Sequence, residues 1–404
     1  MSSQPELAIP RRSPSSRAAA GGLGALAILS AAHLVIDAYS SVYAPVLAVL
    51  HERLGLSLAQ VGGGAMVFGL SASILQPVYG LISDRLRGTW IIVLAPAVAA
   101  IGLAAVPLAG SYAALLAALF VAGIGIAAFH PQGAAQAADT MPHRPGATMA
   151  LFVGAGNLGF AIGPAMFSVT YAIWGWDGLW RIALPGLLTT LLLLPTAPAP
   201  VHDPKRPRPG VGRALRARWR PLLLMYLFVV TRGSVQLIFV AFLPVYLLQA
   251  GFALGGATAA LSIFLTAGSL GSLAGGFLAD RVGARNVIRL SMLLALPAFV
   301  ASFATISPWL RVAWLSVGFF FLLLSNSVTI VLAQSWVPEH RSTVSSLLMG
   351  FAWGMGGLFA PLVGRLADLY GLERALFAVG LLPIIGIILA LGMPRRHAEP
   401  ANGC

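Results

Sequence analysis

The sequence has few charged residues, and this scarcity decides the class of protein. Only 37 of the 404 residues are Lys, Arg, Asp or Glu, whereas 58% of the residues are hydrophobic. In a soluble domain about a quarter of the residues are charged, so this chain cannot cover a water-facing surface of its size. The same numbers exclude a disordered, collagen-like or disulfide-stapled chain. What remains is a polytopic membrane protein, in which lipid is the main solvent.

Cysteine and lysine are almost absent. The single cysteine, Cys404, is the last residue, which excludes an internal disulfide and a cysteine-based metal or haem site. The single lysine, Lys205, does not follow a glycine-rich turn, so the chain has no Walker A loop. No nucleophile–base pair or cluster of metal ligands is evident in the pattern. We therefore expect no cofactor, no metal and no enzymatic activity.

Twelve apolar runs are long enough to cross the hydrocarbon core, which takes about 20 residues. They cover residues 19–50, 59–83, 89–109, 112–138, 147–174, 178–196, 221–249, 254–279, 287–307, 310–336, 343–370 and 374–393. The first run exceeds the roughly 7–15 apolar residues of a signal peptide, so it counts as a span. The predicted fold is all-α, with twelve transmembrane helices in two six-helix bundles, 19–196 and 221–393. A basic linker, 197–220, joins the bundles, and tails 1–18 and 394–404 flank them.

The basic residues predict the orientation in the membrane. With the N-terminus in the cytoplasm, 19 of the 25 Lys and Arg residues fall in cytoplasmic segments. Five arginines fall outside, and Arg232 lies within a span. Such an asymmetry follows the positive-inside rule and predicts that both termini are cytoplasmic. It also accounts for the net charge of +13 without a nucleic-acid partner.

The two halves of the chain repeat each other. The loop after span 2 contains Gly80, Asp84 and Arg85, and the loop after span 8 contains Gly276, Asp280, Arg281, Gly283 and Arg285. The two aspartates are 196 positions apart, and Pro164 and Pro361 are 197 apart. A duplicated six-span unit in parallel orientation is the architecture of many secondary transporters.

These loops resemble the signature loop of the major facilitator superfamily, with the pattern Gly-x-x-x-Asp-Arg-x-x-Gly. Other stretches are similar to the fosmidomycin-resistance group of drug exporters: His33 to Asp37, Leu75 to Gly80, Phe129 to Gly133, and Gly156 to Pro164. The resemblance implies a drug/proton antiporter of the bacterial inner membrane that works by alternating access. It further implies that the two loops switch conformation and that Gly163, Pro164 and Pro361 allow bends.

Two positions depart from the pattern of that group. Ile36 stands where the group has Asn, and Gln132 stands where it has Glu. The second change removes a titratable carboxylate, so a coupling scheme that needs two carboxylates does not fit this chain.

Asp37 is the only acidic residue deep within a predicted span. Ionisable groups inside hydrocarbon cost about 2.5–3.5 kcal/mol on insertion scales, and they are therefore usually functional. His33 lies four residues earlier on the same face of the helix. We predict that Asp37 and His33 form the proton-coupling site. The alternative is a structural pair that only holds helices together.

Arg232 is the only cation deep within a span, and Gln236 shares its helix face. Guanidinium matches phosphate, phosphonate or carboxylate groups through two parallel hydrogen bonds, which predicts recognition of an anionic substrate. The alternative is an ion pair between Arg232 and Asp37 across the two bundles.

Further polar side chains within spans complete the predicted substrate site. His130 precedes Pro131, and Gln132 and Gln136 follow, which indicates a polar cavity near a break in the helix. The remaining candidates are Gln76, Asn157, Asn326 and Tyr43, although buried amides also simply join helices.

The sequence therefore predicts a proton-coupled exporter of a small anionic or amphiphilic compound that functions as a monomer. Two alternatives stay open: a proton symporter that imports an organic anion, and a lipid flippase of the same fold or a membrane scaffold without transport. The direction of transport follows from the resemblance alone.

Overall fold

The computed structural model describes residues 16–85, 89–141, 144–196 and 210–393, which are helical without strands. Twelve helices are long and apolar enough to span a membrane, and we name them α1 to α12. Their bounds are Gly22–Leu54, Leu58–Gly80, Trp90–Leu108, Tyr112–Thr140, Thr148–Trp174, Leu179–Thr196, Trp219–Gln249, Leu254–Val282, Ala284–Ala304, Pro308–Trp336, Thr343–Tyr370 and Leu372–Gly392. The prediction of twelve helices in two bundles is confirmed, with helix ends within a few residues of the predicted ones.

The outer surface of the bundles is apolar, as lipid requires. Large side chains such as Ile173, Leu188 and Ile388 are more than 60% exposed. Exposed apolar surface on this scale is absent from soluble monomers. The chain is a multi-pass membrane protein.

Several helices contain local breaks. The second membrane helix is interrupted at Leu75 and continues as Gln76–Arg85. In α11 the residues Ser346–Ala352 form a π-helical turn, a feature that often marks functional sites. The predicted linker lies outside the described residues up to position 209, and its later part forms the short helix Val211–Ala217.

The bundles meet tightly at one end of the molecule. We call the end where α6 stops and α7 starts the linker side, and the opposite end the far side. On the far side the Asp368 carboxylate of α11 accepts hydrogen bonds from the backbone N–H groups of Leu58 (2.8 Å) and Ala59 (3.0 Å), the first residues of α2. The side-chain amide of Gln249 also contacts His51 Nε2 at 3.3 Å. These contacts join α2 to α11 and α1 to α7.

Two glycines allow this close approach of α2 and α11. A Cβ on Gly62 would lie 2.6 Å from the carbonyl carbon of Ala360 and 2.8 Å from Pro361 N. A Cβ on Gly364 would lie 2.6 Å from the carbonyl carbon of Leu58. Because these neighbours are backbone atoms, no side chain can move aside to make room. The far side is therefore closed by direct contact between helix backbones.

Candidate functional site

Three ionisable side chains form a cluster inside the first bundle, which we call the trio: His33 and Asp37 of α1 and His130 of α4. Asp37 Oδ2 lies 3.2 Å from His33 Nε2, and Asp37 Oδ1 lies 3.0 Å from His130 Nε2. The side chains are 18% exposed for Asp37, 26% for His130 and 7% for His33. The carboxylate is thus held between two imidazoles, and water reaches the cluster mainly at His130.

Backbone carbonyls fix both imidazole rings. His33 Nδ1 lies 2.8 Å from the Phe152 carbonyl of α5, and His130 Nδ1 lies 2.8 Å from the Ile126 carbonyl, one turn earlier in α4. The Phe152 ring stacks on His33 at a centroid distance of 4.1 Å. These contacts orient both Nε2 atoms toward Asp37. Within the described residues, no arginine, lysine or second carboxylate lies within ion-pair distance of the trio.

Glycines of α5 bring its backbone onto the trio and onto α1. A Cβ on Gly156 would lie 2.5 Å from Asp37 Oδ2 and 2.5 Å from His33 Cε1. A Cβ on Gly159 would lie 2.7 Å from the carbonyl carbon of Leu34, and one on Gly163 would lie 3.0 Å from that of Ala38. The predicted bend motif of α5 therefore also provides a flat face for α1. The helix itself continues through Pro164.

Arg232 is buried in α7, with 3% of its surface exposed. One hydrogen bond, from Nη1 to Thr329 Oγ1 of α10, measures 3.3 Å, and Nε has no partner. Among the described residues Arg232 makes no ion pair. The alternative pairing with Asp37 is therefore not formed in this conformation, in which Asp37 contacts the two histidines instead.

The polar residues predicted to line one cavity around His130 do not all face the same side of α4. Gln132 and Gln136 are each only 3% exposed, and the Gln132 amide oxygen accepts a hydrogen bond from the backbone N–H of Ile92 at 3.1 Å. The reason is helix geometry, because residues two positions apart do not face the same side. His130 faces Asp37, whereas Gln132 faces α3.

The other predicted substrate residues are distributed over both bundles. Tyr43 is buried against Phe68 of α2, with ring centroids 4.5 Å apart. Asn326 donates to Ser272 Oγ at 3.2 Å, and Gln76 donates to the Ala72 carbonyl at 2.9 Å. Gln236 is 8% exposed in α7, and Asn157 is half-buried in α5.

The two repeated loops differ in what the structure describes. Gly80 is the last residue of the apolar span α2, and the helix continues to Arg85, but the side chains of Asp84 and Arg85 lie outside the described residues. In the second loop Asp280 and Arg281 are exposed, and Gly283 adopts a φ of 86° that favours glycine. Arg285 donates to the Met393 carbonyl at the end of α12. Pro361 follows the 3₁₀ turn Gly357–Phe359 in α11.

Comparisons with known proteins agree with this architecture. The profile of the Major Facilitator Superfamily matches residues 29–361. The chain belongs to this superfamily. It is therefore a membrane transporter rather than an enzyme, as predicted.

Two relatives and one solved structure are particularly informative. The chain is 29% identical to the fosmidomycin resistance protein of Escherichia coli (strain K12), over 99% of this chain and all of that protein. It is 30% identical to the "Probable nitrate/nitrite antiporter NarK1" of Thermus thermophilus, over 59% of this chain and 57% of that protein. The fold matches a bacterial homologue of the human lysosomal transporter Spinster in an inward-facing conformation. That match has a TM-score of 0.78 and 18% identity, over 92% of this chain and 96% of the other.

Sequence reasoning missed two parts of the site. It paired Asp37 with His33 but assigned His130 to substrate binding, although a deep carboxylate and a second deep imidazole are natural partners in hydrocarbon. It also named no role for Asp368, whose carboxylate joins the two bundles on the far side. The start of α2, with the Ser57 and Gln60 capping box, was the available signal for an anion-binding helix terminus.

Proposed function

We propose that this chain is a proton-coupled secondary transporter that exports a small anionic or amphiphilic compound by alternating access. The observation that carries the proposal is the Asp37 carboxylate, which lies between two imidazoles inside a membrane-spanning bundle. A carboxylate at this depth is costly unless it serves a purpose, and proton transfer is the chemistry that Asp and His share. The name of the Escherichia coli relative supports export of a drug.

The conformation with a closed far side is one of the two states of the proposed transport cycle. The positive-inside rule puts the linker side and both termini in the cytoplasm of a bacterial cell. The far side then faces outward, and the contacts between α2 and α11 keep the site from opening there. In the alternate state protons reach Asp37 from outside and favour release of substrate. Loss of protons toward the cytoplasm restores the substrate-binding state. A single chain provides all of these parts, so we propose that the monomer transports.

Arg232 is the proposed recognition group for an anionic substrate. A buried guanidinium without an ion-pair partner is unfavourable, and a bound anion compensates it through charge-assisted hydrogen bonds. Its free Nε and its single bond to Thr329 leave donors for such a ligand. The name of the Thermus relative, which refers to nitrate and nitrite, supports transport of anions.

A second candidate function is import of an organic anion by proton symport. Protonation makes the trio more positive, and α7 with its buried Arg232 packs against α1. In this scheme, unlike in the export cycle, protons and an anion favour each other's binding, which is the electrostatic basis of movement in the same direction.

Transport in proteoliposomes with an imposed pH gradient tests these proposals. The panel contains fosmidomycin, nitrate, an organic anion, an organic cation and a fluorescent phospholipid. Export predicts substrate movement against the proton flow, symport predicts movement with it, and lipid movement alone indicates a flippase. Asp37→Asn is the paired variant. Transport that ignores the gradient in the unmodified protein would remove proton coupling from the proposal.

A further inference from the structure

The backbone contacts of the trio determine which nitrogen of each imidazole carries hydrogen. A carbonyl oxygen only accepts hydrogen bonds, so a ring nitrogen 2.8 Å from it must be an N–H donor. This applies to Nδ1 of His33, which faces the Phe152 carbonyl, and to Nδ1 of His130, which faces the Ile126 carbonyl. In a neutral ring the other nitrogen, Nε2, then carries a lone pair.

Both Nε2 lone pairs would point at the Asp37 carboxylate, which can also only accept hydrogen bonds when it is ionised. An ionised carboxylate has no hydrogen to donate. The Nε2 atoms lie 3.2 Å and 3.0 Å from the two oxygens of Asp37, with one oxygen for each ring. Without a proton between them, nitrogen and oxygen lone pairs would repel each other at these distances. One proton relieves only one of the two contacts, because the contacts use different atoms.

We propose that the trio is a two-proton site, with one proton shared on each contact between Nε2 and the Asp37 carboxylate. This inference rests on the proposed proton coupling and extends it to a stoichiometry of two. With Asp37 ionised and both histidines neutral, the trio has a net charge of −1. The first proton neutralises the trio, and the second gives it a net charge of +1. Gln132 stands where the fosmidomycin-resistance group has a titratable Glu. In the trio His130 supplies the second titratable group instead. A histidine beside Asp37 avoids the like-charge repulsion that two carboxylates would have.

The described surroundings offer these protons no other charged partner. Among the titratable side chains of α1 and α4, Asp37, His33 and His130 are the ones in contact here. The face of α5 against the carboxylate is Gly156, which has no side chain, together with the Phe152 ring and carbonyl. Within the described residues, no other charged group is in ion-pair contact with the trio. His130, the most exposed of the three, is the point where protons enter and leave.

Nitrogen NMR of protein labelled with ¹⁵N-histidine in nanodiscs tests the count directly. The His33 and His130 signals are identified by replacing the other five histidines with asparagine one at a time, so both rings of the trio stay intact. Between about pH 5 and pH 8, where histidine changes charge, we expect Nδ1–H on both rings and a proton on or shared with both Nε2 atoms at the acid end. In Asp37→Asn the signals of protons shared between Nε2 and the carboxylate should be lost for both rings. A hydrogen on Nε2 but not Nδ1 of either neutral ring, or one Nε2 that stays unprotonated and unbonded throughout, would overturn the inference.

The coupling ratio in proteoliposomes separates this inference from the proposed function. Fosmidomycin is the probe, and the membrane potential is held at zero. At zero net flux, each coupled proton changes the probe gradient about tenfold per pH unit, so two protons give about 100-fold. His130→Asn should reduce the response to about tenfold, whereas His397→Asn, in the predicted tail 394–404, should not change it. A tenfold response in the unmodified protein overturns the two-proton site but preserves coupling, and transport without any response contradicts the proposed function itself.

Discussion

The close contact of α2 with α11 predicts that a single methyl group will open the far side. Gly62→Ala adds a Cβ 2.6 Å from the Ala360 carbonyl carbon and 2.8 Å from Pro361 N. Carbon atoms prefer separations of about 3.5–4.0 Å, so the helices must move apart by on the order of 1 Å. Overpacking of this kind costs about 1–3 kcal/mol. This free energy destabilises only the state in which the far side is closed, because the two bundles are separated at the far side in the open state.

The expected result is a shift in populations. The ratio of far-side-open to far-side-closed molecules should rise roughly 5- to 150-fold. Gly69→Ala is the matched control, because Gly69 is a buried glycine of the same helix with no atom within 4 Å of its added Cβ. Both variants gain about 1 kcal/mol of helix propensity, so their difference reports the contact.

Spin-label distances measure this shift. Cys404→Ser removes the only cysteine. Leu54→Cys and Ile306→Cys then provide label sites in different bundles on the far side, at residues that are 61% and 97% exposed. Gly62→Ala should populate longer distances, and Gly69→Ala should match the parent protein. Identical distance distributions for the two alanine variants would refute the idea that this contact closes the far side.

Three further predictions concern individual side chains. Asp37→Asn should abolish the response of transport to a pH gradient, and a retained response would exclude Asp37 as the coupling site. Arg232→Ala should weaken binding of an anionic compound by roughly 10- to 100-fold, through loss of charge-assisted hydrogen bonds, and leave a cationic compound unaffected. Asp368→Asn should raise the far-side-open to far-side-closed ratio about fivefold, because it weakens an exposed cap worth about 1 kcal/mol. An unchanged spin-label distance in that variant would contradict the last prediction.

The helices were predictable because a membrane imposes strong local constraints. Length and hydropathy located α11 at residues 343–370, the bounds found in the structure. What lies within that helix was not predictable, since the π-helical turn Ser346–Ala352 depends on packing against the other bundle rather than on its own sequence. The break of the second membrane helix at Leu75 is local by contrast, because Pro77 has no backbone N–H to donate to the carbonyl one turn earlier.

Only those contacts of the site that lie within one helix could be predicted from the sequence. The four-residue spacing of His33 and Asp37 determines their contact within one helix. The contact of His130 with Asp37 joins positions 93 residues apart, and it depends on the rotation of α4 relative to α1. Asp368 and Leu58 are 310 positions apart, so their hydrogen bond depends on how two bundles dock. No periodicity within a single helix contains that information.

The location of the trio has a mechanical consequence. Its three side chains, the carbonyls that orient them and the glycine that covers them all come from α1, α4 and α5, within one bundle. When two rigid bundles rock against each other, the distances inside the trio stay constant. In the proposed cycle this motion changes which side of the membrane supplies water to the trio, and the hydrogen bonds within the trio stay intact. Arg232 lies in the other bundle. In the proposed cycle the proton site and the anion-recognition group therefore belong to two bundles that move relative to each other.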